Sequence, residues 1–183
     1  MNRTLTYAVV TLAALGLGLS GCQTAPKTEE GKEELHQKVE DALATMKGAD
    51  PTFAAFLDNA HGYAVFPTVG EGGFIVGGSY GKGEVYERGK KIGNSDMTQA
   101  SVGAQIGGQA YTEVIAFENK AALDRFIAQD YTMAAEATAT ALQSGAAAKA
   151  RWQDGIAVFT YVKGGLMAKA AVGGQRFRFT PIR

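Results

Sequence analysis

Few side chains in this 183-residue sequence could carry out catalysis. The two histidines, His36 and His61, have no other strong metal ligand or nucleophile beside them in sequence. A metal site or a general base needs several such groups within bonding distance. We therefore expect one surface histidine and one histidine at a helix–strand junction, with no metal and no other cofactor.

Nucleophilic and acid–base chemistry find little more support. No serine lies in a G-x-S-x-G pattern, which would present its hydroxyl to a substrate. Glu113, Glu118 and Asp124 could form an acid–base pair, but charged residues on a half-exposed strand and helix usually face solvent. Gly81–Lys82 approaches a phosphate-binding loop, yet that motif requires a serine or threonine where Gly83 stands. The sequence thus predicts a protein that is not an enzyme.

The residue with the clearest chemical role is Cys22, the only cysteine of the chain. It follows a short positive segment, an apolar stretch from Leu5 to Leu19, and the small residues Ser20–Gly21. This order resembles the signal of bacterial lipoproteins, in which the peptide is cut before the cysteine. The resemblance implies that residues 1–21 are removed and that Cys22 carries diacylglycerol and a further acyl chain such as palmitate. An ordinary signal peptide with an incidental cysteine is the alternative.

Acylation of this kind would fix the protein to a membrane. One acyl chain gives marginal binding and two or more give stable attachment, because each buried CH₂ contributes about 0.8 kcal/mol. Gln23 follows the cysteine, whereas in the usual sorting pattern of lipoproteins an aspartate there favours the inner membrane. The resemblance therefore implies the periplasmic face of the outer membrane.

After the cysteine, we predict a tether at residues 22–31 and one domain at residues 32–183, which is long enough to bury its own core. Leu35, Val39 and Leu43 recur at helical spacing and predict an amphipathic helix. A second short helix follows, since an aspartate and a proline at positions 50 and 51 provide its N-cap and first position.

The segment Gly62–Tyr86 organises the rest of the domain. Its pattern G-x-A-V-F-x-x-V, followed by paired glycines, returns from Gly155 onward. Each copy has two apolar runs joined by glycines, which predicts a β-hairpin, and glycines inside strands mark bends. We therefore predict an α+β domain with a curved, glycine-rich, barrel-like antiparallel sheet framed by two related hairpins. Its predicted structural glycines, with plain hairpin turns as the alternative, are Gly72, Gly73, Gly164 and Gly165.

Between the two copies, the sequence predicts further strands and one more helix. Tyr86–Gly93 indicates strand, basic turn, strand, and Asn94–Asp96 a further turn. Asn119 can cap a helix that Asp130 closes. Residues 133–150 are ambiguous, because alanine favours helix while threonines at every second position favour strand. We predict a strand there.

Charge gives a weaker indication of partners. The chain has 18 Lys and Arg residues against 18 Asp and Glu residues, so it has no overall field that would attract nucleic acid. Cations do cluster locally, and a basic sheet face could meet anionic lipid head groups. Solvated edge-strand charges that discourage aggregation are the alternative. The candidate head-group contacts are Arg88, Lys90, Lys91 and Lys163.

The pattern of motifs resembles the SYLF lipid-binding domain in its bacterial lipoprotein branch. The resemblance runs from about Leu35 to Thr180 and includes Gly62–Pro67, Gly72–Gly78 and Lys163–Leu166. It implies a non-catalytic domain with affinity for phospholipid. Eukaryotic members resemble phosphoinositide and actin-patch proteins with a basic amphipathic helix ahead of the domain. The corresponding helix here is acidic, so those partners do not carry over.

Two functions remain open from the sequence. The first is an envelope lipoprotein whose domain binds phospholipid. The second is an envelope structural or interaction module that binds another protein or the cell wall. An apolar pocket would favour the first, and a core filled by aromatic side chains the second. The phenylalanines expected to fill such a core are Phe66, Phe74, Phe117, Phe126 and Phe159.

Overall fold

The N-terminal part of the domain is a pair of helices that the computed structural model defines closely. The structure describes residues 28–71, 78–100, 110–128, 131–134, 137–162 and 174–182. Helix α1 spans Glu29–Ala49, and Thr28 caps it by accepting a hydrogen bond from the amide of Gly31 at 3.1 Å. The helix thus begins inside the segment predicted to be a tether, because Thr28 provides the cap and two glutamates fill the first turn.

Helix α2 spans Pro51–Asp58 and begins as the sequence predicts. The Asp50 carboxylate accepts a hydrogen bond from the amide of Thr52 at 2.9 Å, and proline occupies the first helical position. Neither helix crosses a bilayer, since no helix among the described residues is both long and apolar enough to do so.

The described strands form one curled half-barrel sheet, which confirms the predicted α+β class with a curved sheet. Their order is β5-β8-β3-β2-β1-β4-β7-β6, and neighbours are antiparallel except β6 and β7. The strands are β1 Gly62–Glu71, β2 Gly78–Glu87, β3 Lys90–Ala100, β4 Tyr111–Phe117, β5 Tyr131–Thr132, β6 Thr140–Ala141, β7 Ile156–Tyr161 and β8 Arg176–Pro181.

Helix α3, Lys120–Ile127, is the further helix that the sequence predicts. Its cap is Asn119, whose side chain accepts a hydrogen bond from the amide of Ala122 at 3.0 Å. The helix ends at Ile127, three residues before the predicted end at Asp130, which lies outside the described residues.

The first hairpin is confirmed, because β1 and β2 pair in antiparallel register from Gly62 opposite Glu87 to Glu71 opposite Ser79. A bulge in β1 between Val65 and Thr68 bends this pair. Gly83 lies opposite the bulge, where a Cβ atom would contact the Val65 carbonyl oxygen and approach Cδ1 of Phe66 to 2.6 Å. Glycine is therefore required at this close approach.

The two copies of the repeated sequence place their matching side chains on opposite faces of the sheet. Strands β1 and β7 both flank β4, but Phe66 packs in the core on one face and its counterpart Phe159 in the core on the other. Ala64 and its counterpart Ala157 are divided in the same way. Successive residues of a strand face opposite sides, so a one-residue offset in register exchanges the faces. The two copies share a sequence pattern without sharing a packing role.

Two separate cores cover the two faces of the sheet. Helix α3 packs on one face, the α3 face, with a core that includes Phe66, Ile115, Phe117 and Phe177. Helices α1 and α2 pack on the other, the α1 face, through the buried residues Leu35, Val39, Leu43, Met46, Phe53 and Leu57.

Two local predictions are wrong. Asn94–Asp96 lies within β3 and pairs with both β2 and β8, so the pairing partners override the turn preference of these residues. In residues 133–150, only Thr140–Ala141 is a named strand, and Ala147–Lys149 forms a short 3₁₀ helix. The alternating threonines do not produce a long strand there, because β7 offers this segment a partner over only two residues.

Candidate functional site

The interior of the curled sheet is filled by aromatic side chains in the described part of the chain. The ring centroids of Phe117 and Phe126 are 4.8 Å apart, those of Phe126 and Phe177 5.1 Å, and those of Phe66 and Phe177 5.6 Å. These four phenylalanines are fully buried. The described residues therefore give the filled-core outcome, which favours the interaction module over a phospholipid pocket inside the sheet.

Phe159, a fourth phenylalanine of that prediction, lies elsewhere. It packs on the α1 face, against Phe53 at 5.1 Å and Phe56 at 4.9 Å. The fifth, Phe74, is outside the described residues. In the described part of the chain, the filled interior therefore includes Phe66, Phe117 and Phe126 of the predicted set, together with Phe177.

Two cavities lined by described residues are small and partly polar. One, of about 280 Å³, lies where α1 meets the ends of β1, β4 and β7. The other, of about 270 Å³, lies between β5 and the β6–β7 edge. Both fall below the range of roughly 300–1,000 Å³ typical of pockets for drug-sized ligands. They suit small polar molecules better than lipid tails.

The turn between β2 and β3 presents exposed cations at one end of the sheet. Arg88 and Gly89 occupy it with φ of 49° and 75°, a left-handed pair that gives a tight hairpin turn. The side chains of Arg88 and Lys90 are exposed. These two candidate contacts are thus accessible to solvent.

Lys91 differs from its two neighbours. Its Nζ donates a hydrogen bond to Oε1 of Glu84, and its side chain is only 23% exposed. The ammonium is therefore already paired with a buried carboxylate. Among the predicted contacts of this turn, Arg88 and Lys90 are accessible, while Lys91 serves the packing of the sheet.

A second group of cations lies on the α1 face, beyond the helix. Lys82, Asp96 and Arg178 are direct cross-strand neighbours on β2, β3 and β8. Arg176 lies two residues before Arg178 and has the same orientation. Helix α1 packs on β1 and β2, so the arginines on β8 stay exposed. We call Lys82, Arg176 and Arg178 the basic strip.

Glu84 holds α1 against the sheet. Its carboxylate is fully buried and accepts hydrogen bonds from the hydroxyl of Tyr86 at 2.5 Å and from Lys91, and it contacts Nδ1 of His36 at 3.0 Å. Burial alone would raise the pKa of Glu84, but these three partners lower it overall. The same contact raises the pKa of His36, so the pair favours the charged form of both groups.

His61 is bound in a similar way. Its Nε2 lies 2.8 Å from Oε1 of Glu87, and only 14% of its side chain is exposed. Each histidine thus has a glutamate of β2 as its partner. No group of three or more metal-ligating side chains occurs among the described residues.

A polar cluster lies among the aromatic side chains of the α3 face. Glu113 is fully buried, opposite Thr160 across β4 and β7, and accepts a hydrogen bond from Nε2 of Gln175 at 2.9 Å. Burial raises the pKa of Glu113 to about 7 although the bond from Gln175 lowers it. Oε1 of Glu113 and Oγ1 of Thr160 have no partner among the described residues. Glu118, which follows β4, and Asp124, in the middle of α3, are both exposed, whereas Glu113 is buried, so the three carboxylates do not form an acid–base pair.

The lipidation site Cys22, the contact Lys163 and the structural glycines all lie outside the described residues. The glycines in question are Gly72, Gly73, Gly164 and Gly165.

Sequence reasoning missed the role of Glu84 and the alignment of the basic strip. Glu84 is followed by Val85 and Tyr86, but β2 also contains Lys82 and Glu87, so the sequence carries no signal that sets this carboxylate apart as buried and paired. The strip depends on the register between β2, β3 and β8, and the sequence does not fix that register.

Comparison with known proteins finds a family model and a relative that this chain is similar to. Residues 98–180 match the Ysc84 family, described as Las17-binding protein actin regulator. Beta cell expansion factor A of Aeromonas veronii is 29% identical over 156 residues, which cover 83% of this chain and 59% of that protein. The chain thus spans less than two thirds of the length of the curated relative it matches.

Proposed function

Because this chain is a member of the SYLF family, to which Ysc84 belongs, we propose that it is a non-catalytic protein that binds anionic phospholipid head groups at its surface. The family match confirms the resemblance predicted from the sequence and supports a lipid-binding or actin-regulator-like domain. The binding of anionic head groups, the lipid anchor at Cys22 and the location at the outer membrane are all part of this proposal.

The observation that carries this proposal is the combination of a filled interior with exposed cations. Four phenylalanines occupy the inside of the curl in the described residues. Arg88 and Lys90 project from the β2–β3 turn, and the basic strip lies on the α1 face. Near an anionic surface, each such cation contributes about 1 kcal/mol of attraction. Surface binding therefore needs no cavity.

The lipoprotein signal completes the proposal. A diacylated Cys22 would hold the chain at the periplasmic face of the outer membrane, and a short tether would keep the domain close to head groups. The two attachments would act together, since a tethered domain meets its membrane at high effective concentration. Weak contacts by a few cations are then sufficient.

A liposome experiment tests the domain without its anchor. Protein that begins at Gln23 should co-sediment with vesicles containing anionic phospholipid and not with purely zwitterionic vesicles. The binding should weaken as salt rises, because exposed charges are screened over about 8 Å at physiological ionic strength. Salt-independent binding would instead indicate burial of acyl chains.

Paired variants locate the contact. At about 1 kcal/mol for each cation, Arg88→Ala with Lys90→Ala should weaken binding about tenfold or more, and Arg176→Ala alone about fivefold. Lys32→Ala with Lys47→Ala removes the same charge from α1 and is the matched control. Lys91→Ala is left out because its ammonium pairs with Glu84.

The second function, a protein-interaction module, is favoured by the filled interior alone. It would replace the lipid-binding proposal if the anchor-free protein bound no vesicle composition at low salt. The matched family is described as Las17-binding protein actin regulator, and this description supports protein binding as the alternative function.

A further inference from the structure

A cavity lies at the seam where the two edges of the curled sheet approach each other. Tyr131 of β5 lines one side, and Thr140 of β6 with Ile156–Val158 of β7 lines the other. The volume is about 270 Å³. We call it the seam cavity. It lies apart from the β2–β3 turn, and none of the basic-strip residues line it.

Among the described residues that line the seam cavity, cations outnumber carboxylates. These residues include Lys149, Arg151 and one carboxylate, Asp154. Arg125 lies beside them, since its Nη2 donates a hydrogen bond to the carbonyl oxygen of Asp154 at 2.5 Å. The described surroundings thus favour an anion.

Neutral hydrogen-bonding groups accompany these cations. The hydroxyls of Thr138 and Thr140 and the amide of Gln153 line the cavity, and alanines form much of the remaining wall. Cations together with hydroxyls and an amide suit a ligand that has both a phosphate and alcohol groups. The small volume limits the ligand to a few carbon atoms beyond the phosphate.

From this arrangement, we propose that the seam cavity binds the phosphate ester of a small polyol, with Lys149 and Arg151 on the phosphate and Thr138, Thr140 and Gln153 on the hydroxyls. The ligand chemistry is the same whether the ester is free or is the head group of a lipid. The site is separate from the proposed membrane contacts at the turn and the basic strip, so either could fail without the other.

The tryptophan of the chain provides a probe for this site. Trp152 is the only tryptophan, and it stands between Arg151 and Gln153, which both line the cavity. Full-length protein in a nonionic detergent should show a saturable change in fluorescence with glycerol 1-phosphate. Glycerol, and sodium chloride at the same ionic strength, should give none. Calorimetric titration of the same samples detects binding even where the fluorescence of Trp152 does not change.

A double variant decides the assignment. Lys149→Ala with Arg151→Ala should raise the dissociation constant for glycerol 1-phosphate at least tenfold, with an unchanged thermal melt. Arg88→Ala with Lys90→Ala removes the same charge outside the cavity and should change it less than twofold. Equal affinities in the two double variants would overturn the proposal, as would the absence of calorimetric binding in the unaltered protein.

Vesicles distinguish the source of the phosphate. If the natural ligand is a lipid head group, glycerol 1-phosphate should displace the protein from phosphatidylglycerol vesicles, and the cavity variant should bind them less. If the ligand is a free ester, vesicle binding should survive in the cavity variant while glycerol 1-phosphate binding is lost. If only the variant with Arg88→Ala and Lys90→Ala lost vesicle binding, the β2–β3 turn would be the membrane contact, and the result for the cavity would be unaffected.

Discussion

Nδ1 of His36 lies 3.0 Å from Oε2 of Glu84, so a histidine on the first helix contacts a fully buried carboxylate on β2. The two residues are 48 positions apart in sequence. Tyr86 and Lys91 bind the same carboxylate from β2 and β3. The helix is therefore joined to two strands at one point beneath its exposed surface.

The first prediction concerns the pH dependence of this contact. Because Glu84 raises the pKa of His36, the folded state binds a proton more tightly than the unfolded state. The resulting stabilisation is complete below the ordinary histidine pKa of about 6.5 and is lost as the pH rises through the higher folded value. Denaturant unfolding from about pH 6 to 8 should show this loss, and His36→Gln should make it smaller, leaving the part that Glu113 contributes up to about pH 7. An identical slope in the variant would exclude the contact as its source.

Glu84 itself should matter more than its partner. Glu84→Ala leaves the Lys91 ammonium and the Tyr86 hydroxyl without their acceptor and should lower the free energy of unfolding by on the order of 3 kcal/mol. Glu34→Ala, which removes an exposed glutamate from α1, is the control and should change it by less than about 0.5 kcal/mol. Equal effects of the two substitutions would contradict the buried role of Glu84.

Glu113 should also make stability depend on pH. Burial raises its folded pKa to about 7, so the unfolded state loses its proton first and stability falls between the ordinary glutamate value of about 4.5 and pH 7. Glu113→Gln removes this titration. The free energy of unfolding of the variant, relative to that of the unaltered protein, should therefore be higher at pH 8 than at pH 5. Thermal melts at the two pH values measure the difference. A variant that loses equal stability at both values would show that Glu113 is ionised throughout.

The close approach at Gly83 gives a test by paired glycine substitutions. Gly83→Ala places a methyl group against the Val65 carbonyl oxygen and the Phe66 ring and should destabilise the domain by more than about 1 kcal/mol. Gly48 lies on α1, and a methyl group added there would have nothing within 4 Å, so Gly48→Ala should instead stabilise by about 0.5–1 kcal/mol. Melting curves that shift in the same direction would refute the packing at Gly83.

Asp50 joins α2 to a distant turn. Its carboxylate accepts hydrogen bonds from the amides of Thr52, Gly145 and Ala147 at 2.9, 3.1 and 2.8 Å. Burial alone would raise the pKa of Asp50, but these bonds lower it overall, so its stabilisation is lost as the pH falls through the folded value.

Asp50→Ala should therefore destabilise the domain by about 1–3 kcal/mol at pH 7 and reduce its sensitivity to acid. Asp58→Ala, which removes an exposed carboxylate from the end of α2, is the matched control. Unfolding followed from pH 7 to pH 3 would show the difference. Parallel acid-unfolding curves for the Asp50 variant and the unaltered protein would disprove the assignment.

The proposed anchor predicts a change of cell fraction without a change of fold. Cys22→Ala should move the protein from the membrane pellet to the soluble fraction, because the acyl chains are lost and the described domain begins beyond this residue. Circular dichroism of the soluble variant should match that of the anchored protein. Recovery of folded Cys22→Ala in the pellet would argue against lipid anchoring.

The sequence predicts local elements well where a single residue determines them. Asn119 and Asp50 cap the helices they were expected to cap, and the glycine at position 89 accompanies the predicted hairpin turn. Tertiary pairing overrides such signals at Asn94–Asp96, where turn-forming residues lie in the middle of β3. The exchange of faces between Phe66 and Phe159 also depends on register, which sequence similarity does not reveal.

The candidate site was predicted only in part, for a related reason. Arg88 and Lys90 could be recognised because they are close in sequence. The basic strip and the seam cavity combine residues from strands that are far apart along the chain. The contact of His36 with Glu84 is of the same kind, so a fold was needed before it could be seen.

The position of β8 has a consequence for how the domain is made. This strand follows all the others in sequence, yet it lies between β3 and β5 in the sheet. A chain that emerges from its N-terminus first therefore exposes the backbone of β3 until residues 176–181 arrive. An unpaired strand edge is a template for aggregation, and closing so distant a pair is slow. Chaperones that bind unfolded chains during synthesis or export would be needed most in this interval. Chains shortened before β8 should accumulate as aggregates.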